Sequence, residues 1–358
     1  MASTFSPDPY QEGKSLDLQV CKSYSPDIPS RVTATISRVI AMTMSVVLDV
    51  TFQSRQGPLV HLVLKLYDRR FGCDQREVGK DRTAPHTQEN EAAFEDFVKR
   101  GMMPGFLRYR KERNEAELLP VRASEFLDEP TDTEGLAKYE AALWQDCIEY
   151  FECEANAYQQ LTDLQGTLVP RLYAHVSLSA TKVATTVPQE TAPYFEVRGI
   201  LLERIDGYCL ADLTLGPPPQ NLRTWHHIIQ LAADAAYEIN KRGVIMEDCA
   251  PRNVVVDRQS QTPRIVDLAQ CNFRDEMASE WFQWGWDEDD DWDPDVEYWE
   301  QVSTRSNPGA IAAVMANRIQ RKFGVKMGFR YPDWEGITAG IKQRKQEAAA
   351  AGRKTMRH

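Results

Sequence analysis

Two aspartates and an asparagine at close spacing are the residues of this chain best suited to chemistry. Asn253 follows Asp248 by five residues, and Asp267 comes after a short apolar stretch. Phosphoryl transfer needs a carboxylate that orients the attacking hydroxyl, together with oxygen ligands for magnesium, at one point in space. The motif therefore predicts a catalytic centre in which Asp248 is the base and Asn253 and Asp267 bind the metal.

A hairpin is the element that must bring these side chains together. Asn253 leads into the apolar residues 254–256, residues 259–263 contain Ser and Pro that favour a turn, and the apolar residues 265–266 return toward Asp267. This pattern predicts a hairpin that places Asp267 beside Asn253. An ordinary acidic turn followed by an apolar hairpin is the alternative interpretation of such a motif.

In these residues and their order, the chain resembles the protein-kinase-like superfamily in its aminoglycoside- and choline-phosphotransferase branch. It is most similar to uncharacterised kinase-like proteins of filamentous fungi. The catalytic loop is the specific part of the resemblance, which spans about residues 32 to 330. The matching stretches are residues 65–71, 154–158, 164–166, 169–172, 201–207, 243–257 and 267–271.

The resemblance implies an α+β fold with two lobes. An antiparallel β-sheet N-lobe would cover residues 32–205, with a helical insertion at about 69–135, and a mainly α-helical C-lobe would cover residues 206–335. Residues 1–31 are rich in Ser, Pro and Asp and predict a flexible N-terminal arm. Residues 336–358 form a basic tail, of which the Ala-rich residues 342–358 are expected to fray.

Alternating apolar residues predict two successive strands, and the second of them carries Lys65. From residue 40 to residue 52 every even position is apolar, which is typical of a half-buried strand. In the next strand the leucines within residues 62–66 form the buried face and leave Val63, Lys65 and Tyr67 on the other. The resemblance implies that Val63 lies over the adenine of ATP and that Lys65 binds the phosphates. A lysine on an exposed strand face is the alternative.

A carboxylate on the following long helix is the partner that the resemblance implies for Lys65. Glu154 fits that role best, because it lies on the face with the apolar residues of the predicted helix over residues 136–161. Glu152 and Glu149 are the fallback choices. A solvated acidic helix face is the alternative for each of them.

By the same resemblance, the segment that ends the next buried strand would be the hinge. The backbone of Glu203, Arg204 and Ile205 would bind the edge of the adenine. The implied cofactors are ATP and Mg²⁺, and the implied reaction moves the γ-phosphate to a hydroxyl or amine of a small molecule or protein.

Three departures from the family pattern favour a second hypothesis. No glycine occurs between Gly13 and Gly57, so a glycine-rich loop over the phosphates is missing. Met246 stands where the family has His, and Glu247 where many protein kinases have Arg. Asp267 is followed by Leu-Ala instead of Phe-Gly. The alternative is therefore a catalytically impaired pseudokinase that acts as an interaction module.

Tryptophan and acidic residues are concentrated between residues 281 and 299. Five of the eight Trp lie there, interleaved with carboxylates that include Asp287–Asp291. Two interpretations stay open. The rings pack the C-lobe beneath a solvated acidic loop, or ring faces and carboxylates bind a cationic acceptor.

Composition indicates a cytosolic protein, with a nuclear location also compatible. A net charge of −11 disfavours nucleic acid and anionic membranes as partners. No apolar run approaches the roughly 20 residues that a bilayer span requires, and the N-terminus lacks a signal pattern. Seven cysteines without a Cys-x-x-Cys pair indicate reduced thiols and no zinc site.

Overall fold

The structure is a computed structural model. It describes residues 8–79, 82–116, 120–127, 133–179, 188–216, 222–286 and 292–355. The chain divides into two compact units. The first unit comprises Met1–Ala155 and Arg171–Arg204, and the second comprises Asn156–Pro170 and Ile205–His358. Residues 156–170, which the sequence analysis places in the N-lobe, thus belong to the second unit.

Antiparallel strands of the first unit form a closed barrel. In chain order the strands of this unit are β1 (Ser15–Ser23), β2 (Arg31–Met42), β3 (Val46–Gln53), β4 (Leu59–Tyr67), β5 (Glu77–Gly79), β6 (Arg82–Thr83), β7 (Leu172–Ser179) and β8 (Glu196–Glu203). The barrel order is β1-β2-β3-β4-β8-β7, and pairing of β1 with β7 closes it, whereas β5 and β6 pair separately. The prediction of an antiparallel sheet is confirmed, but the sheet is closed.

Side chains of alternate strand residues fill the barrel. Leu62, Leu64 and Leu66 of β4 are buried in the core, together with inward residues of the other barrel strands. Because successive strand residues point to opposite faces, Val63, Lys65 and Tyr67 lie on the outer face of the barrel. This alternation positions Lys65 outside the apolar core.

The N-terminal segment differs from the prediction of a flexible arm, which is wrong for residues 15–23. These residues form β1, where Leu16 and Leu18 are 5% and 2% exposed. Tyr10, before the strand, is also buried, and its hydroxyl donates to Asp68 Oδ2 at 2.6 Å. The sequence pattern does not reveal this strand, because only two of its side chains are leucines buried in the core. The side chains on its outward face are charged or polar.

The alternating segment of residues 40–52 is not one strand. It contains the end of β2, a turn at residues 43–45 and most of β3, with Met42 paired to Val46. A tight turn between two antiparallel strands preserves the alternation of apolar residues. Hydrophobic period alone therefore cannot locate the turn.

Helices pack together beside the barrel strands in the first unit. They are α1 (Gln88–Lys99), α2 (Met103–Ala116) and α3 (Thr133–Gln160), of which α1 and α2 lie in the region 69–135. The helix α1 begins after Thr87, whose side chain accepts a hydrogen bond from the backbone of Asn90. Apolar residues of all three helices form one cluster that includes Phe94, Phe97 and Leu143.

The second unit is mainly helical with short strands. In chain order it contains β9 (Gly207–Cys209), α4 (Arg223–Asn240), β10 (Val244–Met246), β11 (Val254–Asp257), β12 (Pro263–Ile265), β13 (Cys271–Phe273), α5 (Arg274–Gln283), α6 (Pro294–Arg305), α7 (Asn307–Phe323) and α8 (Trp334–Thr355). The strand orders are β12-β11-β9 and β10-β13. The helix α4 packs its apolar face against α7, and α6 packs against α8.

The predicted basic tail lies largely within α8. Ile341 of this helix is 7% exposed, and Lys345 forms an ion pair with Asp293, the N-cap residue of α6. Of the residues 342–358 that are predicted to fray, those up to Thr355 are helical, and the ion pair holds Lys345, so the prediction is wrong around that residue. Within the described residues, none of the helices is both long and apolar enough to cross a bilayer.

Candidate active site

Lys65 and Glu154 form a buried ion pair in the first unit. Lys65 lies on β4, where Val47 of β3 and Ile200 of β8 are its neighbours in register. Its Nζ is 2.8 Å from Oε2 of Glu154 on α3, and the two side chains are 6% and 0% exposed. The attraction between the two charges offsets much of the free-energy cost of burying them, so loss of either partner would be strongly destabilising.

The other two candidate carboxylates on α3 lie on its exposed side. Glu149 accepts a hydrogen bond from Gln145 Nε2 at 2.8 Å, and both Glu149 and Glu152 are exposed. A residue two positions along a helix is turned by about 200°, so Glu152 and Glu154 point in opposite directions. Of the three, the structure brings only Glu154 to Lys65.

A tyrosine that sequence reasoning left without a role joins this pair. The Tyr67 hydroxyl donates a hydrogen bond to Glu154 Oε2, the same oxygen that Lys65 contacts. The Tyr67 ring also lies near Lys65, with Nζ 5.5 Å from the ring centroid. Its position two residues after Lys65 on the same strand face was the available signal.

The predicted adenine-binding residues lie along β4 and β8. Val63 is half-buried and pairs in register with Asp49 and Leu202. Glu203 ends β8, and its backbone N–H donates to the carbonyl oxygen of Arg171 at 2.8 Å. That N–H is therefore engaged within the first unit.

The two residues after Glu203 lie on either side of the division between the units. The Arg204 Nε is 3.4 Å from Asp49 Oδ1. Arg204 is the last residue of the first unit, and Ile205 begins the following segment of the second. Their predicted role in adenine binding remains a prediction.

In the second unit, a short loop after β10 carries Asp248 and Asn253. The Asn253 side chain donates through Nδ2 to the backbone oxygen of Asp248 at 2.9 Å and to its Oδ2 at 3.0 Å. Arg252 forms an ion pair with Asp248 Oδ1. Because Nδ2 of Asn253 is directed at Asp248, the amide oxygen Oδ1 points away and is the atom suited to a cation.

The hairpin of β11 and β12 brings Asp267 to the same place. Val254 pairs with Ile265, and the N–H of Val266 donates to the carbonyl oxygen of Asn253 at 2.9 Å. Asp267 follows with a φ of 66°, in the left-handed region that aspartate tolerates better than most residues. Asp248, Asn253 and Asp267 are among the residues around one small internal cavity of the second unit, which is too small to admit a water molecule.

Two buried asparagines that sequence reasoning missed hold the strand before this loop. Asn307 accepts hydrogen bonds at Oδ1 from the Met246 N–H at 3.0 Å and from Asn240 Nδ2 at 2.8 Å. Asn307 Nδ2 donates to the Met246 carbonyl oxygen at 2.7 Å, and the Tyr298 hydroxyl donates to the Asn240 carbonyl oxygen at 2.6 Å. These bonds anchor the backbone two residues before Asp248. No motif marks them, because asparagines 67 residues apart show no local pattern.

The residues on both sides of Asp248 in the chain also make defined contacts. Glu247 accepts from Asn272 Nδ2 at 2.6 Å and pairs with Arg305 at 2.8 Å. On the other side, burial raises the pKa of the Cys249 thiol to about 12, so the thiol stays protonated at neutral pH. The Cys249 Sγ also donates to the Asn307 carbonyl oxygen at 3.4 Å, which holds this part of the loop.

The oxygen atoms near the cavity fit a magnesium ion carried by a nucleotide. Asn253 offers an amide oxygen and Asp267 a carboxylate, both of which are hard ligands of the kind that Mg²⁺ prefers. Within the described residues, no three His, Cys, Asp or Glu side chains cluster as a metal site.

The Trp-rich region contains both packed and exposed rings. Trp281 is 4% exposed and packs with Tyr298 and Val302, with Trp292 and Trp299 against them. Trp284 and Trp286 are 62% and 38% exposed. Asp287–Asp291 lie outside the described residues. The packing interpretation thus holds for the first group of rings, and the acceptor interpretation remains a prediction.

Comparisons with known proteins give a distant likeness. No protein-family model matches the chain, and no curated protein sequence matches it. Among solved structures, the M. tuberculosis PknI kinase domain is 14% identical with a TM-score of 0.28, over 66% of this chain and 58% of that chain. Vaccinia related kinase 3 is 12% identical with a TM-score of 0.31, over 75% of this chain and 54% of that chain. The chain thus spans little more than half the length of either structure, and at these TM-scores the likeness assigns neither family nor activity.

Proposed function

We propose that the chain is a kinase-like phosphotransferase that moves the γ-phosphate of Mg-ATP to a hydroxyl or amine acceptor. The observation that carries the proposal is the local geometry in which Asn253 is hydrogen-bonded to Asp248 and the hairpin returns the chain from Asn253 to Asp267. These side chains are a proton acceptor and two oxygen ligands, which is the set that phosphoryl transfer requires. The buried pair of Lys65 and Glu154 supports it separately, because a lysine held by a carboxylate is a ligand for phosphate in the same reaction.

In the proposed reaction, Asp248 acts on the acceptor. The acceptor oxygen forms a bond to the γ-phosphorus while the bond from that phosphorus to the ADP oxygen breaks, and the acceptor's proton passes to Asp248. Asn253 and Arg252 contact the two carboxylate oxygens of Asp248. These contacts hold the carboxylate in one orientation before an acceptor arrives.

The remaining residues would bind the nucleotide. Asn253 and Asp267 would hold its magnesium ion, which neutralises phosphate charge when bound. Lys65 would contact phosphate oxygens, and Glu154 would keep the ammonium group in place. The proposed adenine contacts are Val63 and the backbone of Glu203, Arg204 and Ile205.

Thermal unfolding with nucleotide and metal tests the proposal. We expect ATP with Mg²⁺ to stabilise the protein by about 1.4 kcal/mol at tenfold excess over Kd, and ATP alone to stabilise it less. Asp267→Asn should remove the magnesium-dependent part, because it removes a charged ligand while asparagine tolerates the left-handed backbone. Asp275→Asn, an exposed carboxylate on α5, is the matched control and should behave as the wild type. No stabilisation with any nucleotide and metal would reject the proposal.

A pseudokinase that acts as an interaction module is the second candidate, and one observation favours it. The turn between β2 and β3 contains no glycine, and the N–H of Asp74 donates to the Thr43 carbonyl oxygen at 3.3 Å. This turn therefore lacks the glycines that let the backbone of a phosphate-binding loop adopt its conformation. The unfolding experiment separates the candidates, since a module with an impaired site would show no magnesium-dependent stabilisation.

A further inference from the structure

Tyr67 is a buried polar residue at the edge of the candidate nucleotide-binding group. It ends β4, two residues after Lys65, and is 3% exposed. Because strand side chains alternate, Tyr67 and Lys65 extend from the same face of β4 toward α3. The ring of Tyr67 meets Phe151 of α3 edge to face, with centroids 6.1 Å apart, so packing restricts its position.

Tyr67 contacts both members of the ion pair. Its hydroxyl donates to Glu154 Oε2, and its ring lies under the ammonium group of Lys65 at 5.5 Å from the centroid. A carboxylate oxygen can accept more than one hydrogen bond, and Lys65 and Tyr67 both contact Oε2. The carboxylate is thus held from two directions.

We propose that Tyr67 is a positioning residue for nucleotide binding, which acts on Lys65 through Glu154. The inference rests on the proposed function, in which Lys65 binds phosphate. An ammonium group has three N–H donors and would share them between Glu154 and the phosphates. When some N–H groups of Lys65 bind the nucleotide, the Tyr67 hydroxyl still donates a hydrogen bond to Glu154. This bond keeps the Glu154 side chain in one rotamer.

The chemistry of the site separates this role from simple packing. The Tyr67 ring alone would fill the space beside Phe151, and phenylalanine has the same ring. The hydroxyl adds a charge-assisted hydrogen bond to a carboxylate that is 0% exposed. Removal of the hydroxyl alone therefore isolates its effect on Glu154.

Nucleotide affinity of Tyr67→Phe tests the inference in the full chain. We expect the Kd for Mg-ATP, measured by calorimetry, to rise about tenfold, which corresponds to about 1.4 kcal/mol of binding free energy. Tyr139→Phe is the matched control. Tyr139 is also fully buried in the first unit, and within the described residues its hydroxyl has no hydrogen-bond partner. This variant should keep the wild-type Kd.

A double-mutant cycle with Glu154→Gln distinguishes positioning from packing. If Tyr67 acts through Glu154, adding Tyr67→Phe to Glu154→Gln should change the Kd less than twofold further. A full tenfold loss in both backgrounds would overturn the inference, because the effect would then bypass Glu154. The unfolding midpoint of each variant is measured alongside, so that a folding defect is seen directly.

Lys65→Ala separates failure of this inference from failure of the proposed function. If Lys65→Ala weakens Mg-ATP binding while Tyr67→Phe binds as the wild type does, the positioning role is rejected and the proposed function stands. If Lys65→Ala also binds as the wild type does, Lys65 is no phosphate ligand and both proposals for the first unit are rejected.

Discussion

Individual residues of the candidate site have different expected effects on binding and on turnover. Asp248 is partly exposed, with a side chain 32% accessible, and its proposed contact is with the acceptor. Lys65 is buried against Glu154, and its proposed contact is with the phosphates. A base changes the transition state, whereas a phosphate ligand acts in both ground and transition states. Kinetic constants can therefore tell the two roles apart.

We predict that Asp248→Asn lowers kcat by about 10²-fold or more and leaves nucleotide affinity within about twofold, because general-base catalysis contributes about 10² to 10⁴. Lys65→Ala should weaken nucleotide binding as well as kcat. Steady-state kinetics with calorimetry measure both quantities, and Lys99→Ala, an exposed lysine of α1, is the control. Equal loss of nucleotide affinity in the Asp248 and Lys65 variants would mean that the roles are misassigned.

Among the elements, α3 joins the candidate site to a second buried ionic cluster. Glu140 and Glu154 are both 0% exposed, and their spacing of about four helical turns places them on one face of α3. Glu140 pairs with Arg69 and, at 2.6 Å, with Arg76. Burial alone would raise the pKa of Glu140, but Arg76 and Arg69 hold it below its ordinary value. The helix is thus fixed to the strand that carries Lys65 by charges as well as by packing.

Glu140→Gln should destabilise the protein at pH 7 by about 3 to 5 kcal/mol, because buried Arg76 loses its carboxylate partner, while Arg69 keeps only its pairing with Glu91 of these two carboxylates. A carboxyl whose pKa is lowered by folding stabilises the protein above its unfolded pKa, near 4.5, and loses that contribution as the pH falls below it. The difference in the free energy of unfolding between the wild type and the variant should therefore decrease as the pH falls from 5 to about 3. Urea unfolding at each pH measures it.

Glu149→Gln is the control for this experiment, since Glu149 is exposed on the same helix. Its free energy of unfolding should stay within about 0.5 kcal/mol of the wild type at either pH. A difference for Glu140→Gln that is as large at pH 3 as at pH 7 would contradict the assigned ionisation of Glu140.

At the scale of the whole molecule, the barrel of the first unit depends on its N-terminal strand. β1 pairs with β2 on one side and with β7 on the other. Without β1, both neighbours would be edge strands with unpaired backbone groups. The N-terminal region is thus part of the folded unit that contains Lys65 and Glu154.

Leu18→Ala tests the place of β1 in the core. Leu18 is 2% exposed, so we expect the substitution to cost about 2 to 5 kcal/mol of unfolding free energy. Asp17→Ala, on the exposed face of the same strand, should cost about 0.5 kcal/mol or less. Chemical denaturation measures both. If both substitutions had equally small effects, residues 15–23 would be a flexible arm and not a strand of the core.

Local patterns in the sequence by themselves determined the residues of the candidate site. The order of Asp248, Asn253 and Asp267 around an apolar hairpin is a short-range pattern, and a hairpin forms between neighbours in the chain. The face of β4 that carries Lys65 also follows from alternation, because leucines at every second position must enter a core.

The tertiary structure alone decided which distant groups meet. β1 closes the barrel, Tyr67 contacts Glu154, and Asn307 binds the backbone of Met246 just before the loop. Each of these contacts links segments that are far apart in the chain, and each depends on the free energy of packing the intervening elements. Periodicity describes only which face of one element is buried. It cannot specify which other element will cover that face, because that choice is made by the folded chain as a whole.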